Sequence, residues 1–219
     1  MVDKAVVLLS GGLDSATTLY IARKKFRCFC LIFDYGQRHK KEIEQAKKIA
    51  KLSGSKYRVI KIDLPLKSSS LINKKLAIGR NSQSIPQTYV PGRNTIFLSI
   101  ALSLAEDMGA KAIFIGANAL DFSGYPDCRP EYYRAFKRLV RLATRAGVKG
   151  GEIKIFTPLI NLTKAQIIKK GLRLGVPYAL TWSCYRGGKR PCGKCDSCFY
   201  RAKGFRQAGI KDPLLCRQK

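Results

Sequence analysis

The 219-residue chain contains no stretch of about 18 consecutive apolar residues, so its sequence offers no membrane-crossing helix. Asp3 and Lys4 sit inside a strand-like opening run, which is not the layout of a secretory leader. A cytoplasmic protein with no membrane partner is therefore expected. Acidic residues are scarce: 14 Asp and Glu face 42 Lys and Arg, for a formal net charge of +28. Such a field draws phosphate-rich partners, whether ATP or RNA, and direct nucleic-acid binding is compatible with it but not required. It is equally compatible with cations spread over solvated helix faces, as at Lys40-Lys41, Lys47-Lys48 and Lys169-Lys170. Charge alone says nothing about the fold. Histidine is scarcer still, His39 being the only one. That residue suits either a general base for an amine or a structural role. No internal repeat, linker or appended RNA-binding segment is visible. With 46% hydrophobic and 26% charged residues the composition is globular, and the length suits one α/β unit.

What is present begins at Ser10-Gly11-Gly12-Leu13-Asp14-Ser15. An apolar run, Ala5 to Leu9, precedes it and reads as a buried parallel strand; the helical stretch Ala16 to Lys25 follows. Strand, glycine loop and helix aim several backbone N–H groups at one point. Two glycines let the main chain approach a ligand without an intervening Cβ. The helix start adds unpaired donors and partial positive charge, so an anion fits there. Ser10 and Ser15 add hydroxyls, and Asp14 suits such a place if a metal or a reacting group joins the anion. The loop is not a Walker motif, because no Gly-Lys-Ser/Thr closes it.

Further strands are expected near 26–33, 57–62, 111–116 and 153–157, with helices near 43–52, 95–108, after Pro130 and from Thr163. Alternation of this kind implies an open parallel sheet of about five strands with helices on both faces. Polar residues after the second strand, from Asp34 to His39, belong at the ligand-binding edge of such a sheet. The turn-rich stretch from Pro65 to Gly92 reads as a long loop of the kind that covers active sites. The expected division is an α/β nucleotide-binding unit over 1–180 and a cysteine-bearing appendage over 181–219.

Eight cysteines in a reducing compartment point to metal or catalysis before disulfides. Cys28 and Cys30 alternate with apolar residues and read as small core residues. Cys184, Cys192, Cys195 and Cys198 carry x7, x2 and x2 spacings, and Cys-x2-Cys pairs let thiolates share one tetrahedral ion. Four ligands close the site, making a structural Zn²⁺ the leading expectation, one ion per chain, with an iron–sulfur cluster as the alternative.

The opening loop resembles the Ser-Gly-Gly-x-Asp-Ser signature of the PP-loop ATP pyrophosphatases, an adenine-nucleotide alpha-hydrolase-like fold. Four further stretches narrow the resemblance: Tyr35-Gly36-Gln37-Arg38-His39, Val90-Pro91-Gly92-Arg93-Asn94, Ser123 to Pro130, and the cysteine knot. Together they resemble the 7-cyano-7-deazaguanine synthase family (QueC/ExsB), which acts in queuosine and archaeosine biosynthesis. The resemblance implies ATP, ammonia and 7-carboxy-7-deazaguanine as substrates, Mg²⁺ with the nucleotide, and adenylated acid and amide intermediates. It implies that Leu9 through Ser15, namely Leu9, Ser10, Gly11, Gly12, Leu13, Asp14 and Ser15, bind ATP, with Phe33 and Tyr35 beside the adenosine. Asp14, Lys164 and Arg93 are the implied catalytic groups, the two cations reaching the phosphates. For the deazaguanine, Asp121 and Asp127 are candidates to accept its N–H donors, Tyr125, Tyr89 and Phe122 to stack, and Arg129 to hold its carboxylate. Tyr125-Pro126 reads equally as a turn, and Arg129 as a surface residue. A PP-loop enzyme that thiolates or amidates tRNA directly is the rival reading, and the charge favours it. A homo-oligomer is compatible with all of these motifs.

Overall fold

The central strand of the sheet is β1 (Lys4–Leu8), buried from Ala5 onward. A computed structural model describes residues 2–78, 85–119 and 124–216. After β1 come α1 (Leu13–Ala22), β2 (Arg27–Asp34), α2 (Lys41–Leu52), β3 (Lys56–Lys61) and α3 (Arg93–Asp107). Then follow β4 (Ala112–Phe114), α4 (Pro130–Ala143), the one-turn α5 (Arg145–Val148) and β5 (Lys154–Phe156). The chain closes with α6 (Lys164–Arg173), α7 (Asp196–Ala208) and the short α8 (Pro213–Cys216). The five strands are parallel in the order β3-β2-β1-β4-β5, so β1 lies where the winding reverses. Ligands of open α/β sheets bind outside the carboxyl ends of strands at such a reversal.

Period-two alternation assigns the strand residues to two cores. Ala5, Val7 and Leu9 pack with α1, α2, α6 and α7 on one face; Val6 and Leu8 pack with α3 and α4 on the other. Because both faces are covered, β1 reads as a continuous apolar run. Each fully buried Leu or Ile of these cores contributes about 1.5–3 kcal/mol. Cys28 and Cys30 lie in the first core, where burial pushes their thiols up to about 11 and 12.

The first helix differs from its expected bounds. It starts at Leu13 and ends at Ala22, leaving Arg23, Lys24 and Lys25 in the turn that follows. The N–H of Ala16 already donates to the Gly12 carbonyl at 3.0 Å, so helical bonding begins within the glycine pair. Between Lys61 and Arg93 no strand or helix forms among the described residues. That segment is nonetheless tied down: the Arg38 N–H donates to Leu71 O at 2.8 Å, and the Arg38 guanidinium donates to the carbonyls of Asn73 and Leu76. No helix among the described residues is long and apolar enough to cross a membrane.

Candidate active site

The turn from β1 into α1 opens on a cleft of about 300 Å³ at the carboxyl edge of the sheet. Gly11 takes φ +84°, and a Cβ there would lie 2.3 Å from the Glu42 carbonyl oxygen, so only glycine lets the loop rest on α2. No side chain caps α1. Its first N–H groups, which have no partner within a helix, therefore remain as donors facing the cleft end of β1. The hydroxyls of Ser10 and Ser15 lie 3.0 Å apart, and the Ser10 N–H donates to Ser15 Oγ at 3.2 Å. The Gly12 N–H donates to Ser10 Oγ, while Ser15 Oγ donates to the Gly12 carbonyl. Leu9, Ser10, Gly12, Leu13, Asp14 and Ser15 all line the cleft.

Across 150 residues of sequence, Lys164 reaches the same point. Its Nζ donates to both oxygens of Asp14, at 2.9 and 2.8 Å. Thr163 caps α6 in a reciprocal pair with Gln166, which sets the direction in which Lys164 leaves the helix start. Asn118 steadies the preceding loop through Nδ2 donors to the carbonyls of Leu159 and Leu162. At the end of β4, a Cβ on Gly116 would come within 3.0 Å of Asp14 and Ser15 backbone atoms, so glycine admits the start of α1.

The far wall is aromatic. Phe33, at the end of β2, stacks on Phe97 with ring centroids 4.0 Å apart and planes 6° apart. Gln37 accepts from the Tyr35 N–H and donates to the Phe33 carbonyl, holding the strand end as it turns away. Arg93 donates to the Tyr35 hydroxyl at 3.2 Å. Burial opposes the Arg93 charge, but the surrounding Tyr35, Tyr125 and Cys128 groups outweigh it and raise its pKa. The Tyr125 ring is buried, with its hydroxyl 2.7 Å from Thr88 Oγ1 and its centroid 5.8 Å from that of Tyr89. Glu42 completes this wall, its carboxyl pushed up to about 7 chiefly by burial.

The remaining expected substrate contacts are placed differently. Asp127 is buried, and its Oδ2 accepts the Asn94 N–H at 3.0 Å, capping the start of α3. Asn94 answers with Nδ2 donors to Asp127 O and Cys128 Sγ, which locks the 90–94 and 125–128 stretches together. Arg129 is exposed, its Nε donating to the Pro126 carbonyl. Neither Asp127 nor Arg129 is part of the cleft lining, and Asp121 and Phe122 lie outside the described residues. His39 lines the cleft and packs under the knot, where a Cβ on Gly187 would fall 2.3 Å from its ring. Burial lowers its pKa. The cleft also recruits Glu42, Phe97, Gly116, Asn118 and Trp182, which no spacing singled out. Only Gly116, an isolated glycine closing a strand, carried a local signal.

The four-cysteine knot adjoins the cleft. The sulfurs of Cys184, Cys192, Cys195 and Cys198 all lie within 4.8 Å of one another. Four thiolates at about 2.3 Å from one tetrahedral ion stand about 3.8 Å apart, so the set fits a single ion. Trp182 joins knot to loop: its N–H donates to Gly11 O at 2.9 Å, and its indole donates to Cys184 O at 2.9 Å. Lys41 sits 3.6 Å above the Trp182 ring and donates to the carbonyls of Gly188 and Lys189.

A family model described as queuosine biosynthesis protein QueC matches residues 4–209. A 7-cyano-7-deazaguanine synthase from Cellvibrio japonicus is 54% identical over 216 residues, which cover 96% of each chain. One from Thermoplasma acidophilum is 51% identical over 217 residues, covering 96% of this chain and 91% of its own. Among solved structures, NMN synthetase from Francisella tularensis matches with a TM-score of 0.51 at 17% identity, over 96% of this chain and 79% of that one. The U34-tRNA thiolase NcsA from Methanococcus maripaludis, solved with its [4Fe-4S] cluster, matches with a TM-score of 0.50 at 16% identity, over 94% and 68%. These two structural likenesses speak for the fold alone.

Proposed function

The chain belongs to the QueC family of queuosine biosynthesis proteins, and from that premise we propose that it makes a nitrile from 7-carboxy-7-deazaguanine, ammonia and ATP. One observation carries the reading. An uncapped helix start, two serine hydroxyls, the Lys164–Asp14 pair and Arg93 share a single cleft with a stacked aromatic wall.

A carboxylate is a poor electrophile, and its oxygen is a poor leaving group. Attack of the acid on the α-phosphorus of ATP releases pyrophosphate and gives an acyl adenylate. Ammonia then displaces AMP and forms the amide. The amide oxygen takes a second adenylate from a second ATP, again releasing pyrophosphate. Loss of AMP and of the nitrogen-bound protons leaves the C≡N bond. Each transfer develops negative charge on phosphate oxygens, where fixed donors and cations stabilise the transition state without reorganising. The Leu13–Ser15 amides and Ser10 hold the pyrophosphate, Lys164 and Arg93 supply the cations, and Phe33 and Tyr35 flank the adenosine. Tyr125 and Tyr89 offer rings to the deazaguanine. Mg²⁺ bound with the nucleotide offsets phosphate charge. Asp14 suits it, since each carboxylate oxygen keeps lone pairs beyond those engaged by Lys164. In the knot Zn²⁺ fits the compact sulfur set and a closed, structural role; metal analysis that returns iron with sulfide overturns that assignment.

Incubating the holoprotein with the acid, ammonium and magnesium-ATP tests the whole scheme by mass spectrometry. The expected products are the nitrile, AMP and pyrophosphate with no RNA present. ADP and orthophosphate in their place defeat the α-phosphorus geometry. Activity that appears only on adding tRNA favours the rival in which the +28 charge serves an RNA substrate.

A further inference from the structure

We propose that Gly204, in the middle of α7, is a positioning residue that sets the aim of Lys164 toward Asp14. The inference rests on the reading that Lys164 meets the phosphates. Gly204 is fully within the helix and is not among the residues with positive φ, so its backbone does not require glycine. Alanine is the stronger helix former at such a place. What requires glycine is space. A Cβ at 204 would lie 2.4 Å from Lys164 Cγ, 2.9 Å from Lys164 Cβ and 3.0 Å from Ile168 Cδ1. Lys164 and Ile168 are one turn apart and so share a face of α6, the face that meets α7. The stem of Lys164 thus lies against bare backbone of α7, and from there its Nζ comes within 2.8 Å of Asp14.

The helix supplying this wall, which also lends Ser197, Tyr200 and Arg201 to the cleft lining, has anchors of its own. Its start is held by Cys195 and Cys198, two sulfurs of the knot. Midway, Arg201 donates to both carboxylate oxygens of Asp212. Anchored twice, α7 yields less readily to an added methyl group than Lys164 does: its Cγ, the nearest atom, must swing aside, and its Cβ at 2.9 Å requires the start of α6 to shift with it. A methyl at 204 therefore moves Lys164 off Asp14 while leaving the knot and the loop intact.

The test uses the full chain with its metal bound, as wild type, Gly204→Ala, Lys164→Ala and the double variant. In Gly204→Ala, kcat for AMP formation is expected to fall about tenfold or more, with the KM for the acid within about twofold. Metal content should be unchanged, and the Lys164 amine should react faster with an acylating reagent, read on its peptide by mass spectrometry. In the Lys164→Ala background, which loses the Cγ contact but keeps the Cβ, the same glycine change should add little to kcat and should cost less thermal stability than in wild type. Unchanged Lys164 labelling overturns the positioning claim whatever the kinetics. So does an equal loss of stability in both backgrounds, which remains readable if Gly204→Ala folds poorly. Should Lys164→Ala keep full activity while labelling still responds, the phosphate role of Lys164 falls and the positioning by Gly204 stands.

Discussion

Glu42 enters the cleft from the first turn of α2 with its carboxyl pushed up to about 7 from an ordinary 4.5. Burial is the main cause; the Arg93 charge opposes it and the Cys184 thiolate adds to it. A carboxyl whose folded pKa is raised binds protons more tightly folded than unfolded. Its contribution to stability is therefore whole below about pH 4.5 and is lost as pH climbs through about 7. Glu42→Gln, which keeps the shape and removes the titration, should gain melting temperature relative to wild type between pH 5 and pH 8, and then hold level. A difference that stays flat over that range removes the raised pKa. At the same scale, Asp127, expected to accept N–H donors of the deazaguanine, is buried with its Oδ2 accepting the Asn94 N–H of α3.

Helix α7 links three parts of the molecule, and its stability depends on one buried ion pair. Arg201 and Asp212 are 6% and 7% exposed, with donor distances of 2.6 and 2.8 Å. Arg201 also donates to Thr181 Oγ1, Ser183 Oγ and the Tyr178 carbonyl, so its three remaining protons are used. Removing one member of such a pair strands the other charge away from water. Asp212→Ala should therefore lower unfolding free energy by about 3–5 kcal/mol, measured by urea denaturation of the metal-loaded protein. A loss below about 1 kcal/mol, the worth of a solvent-exposed pair, contradicts the burial argument. Element bounds were legible where periodicity and caps agreed, as at Thr163, whose capping box with Gln166 opens α6. They slipped at α1, because the Ala16 N–H donates to the Gly12 carbonyl and so starts the helix at Leu13, ahead of the expected Ala16.

For the molecule as a whole, 42 cations against 14 anions leave a formal excess of +28 to be carried by one folded chain. Self-repulsion of this kind destabilises the compact state, and salt relieves it. Raising ionic strength from about 20 mM to about 300 mM shortens the screening length from about 20 Å to about 6 Å. The melting temperature should rise over that interval, by about 2–4 °C for each kcal/mol of repulsion relieved. A melting temperature that falls instead means that attractive surface pairs dominate despite the net charge.

By itself the sequence determined the parallel α/β sheet, the glycine-serine turn after its first strand and the four-sulfur knot, because each is written in neighbouring residues. Strand periodicity, paired glycines and short cysteine spacings are local, so they survive without knowledge of the fold. Only the tertiary structure decided which distant groups meet: Lys164 with Asp14, Glu42 behind Gly11, Asp127 under α3 and Gly204 against the lysine stem. Those contacts depend on how helices cross and where side chains find room, and a missing Cβ discloses its purpose only when something else occupies its place.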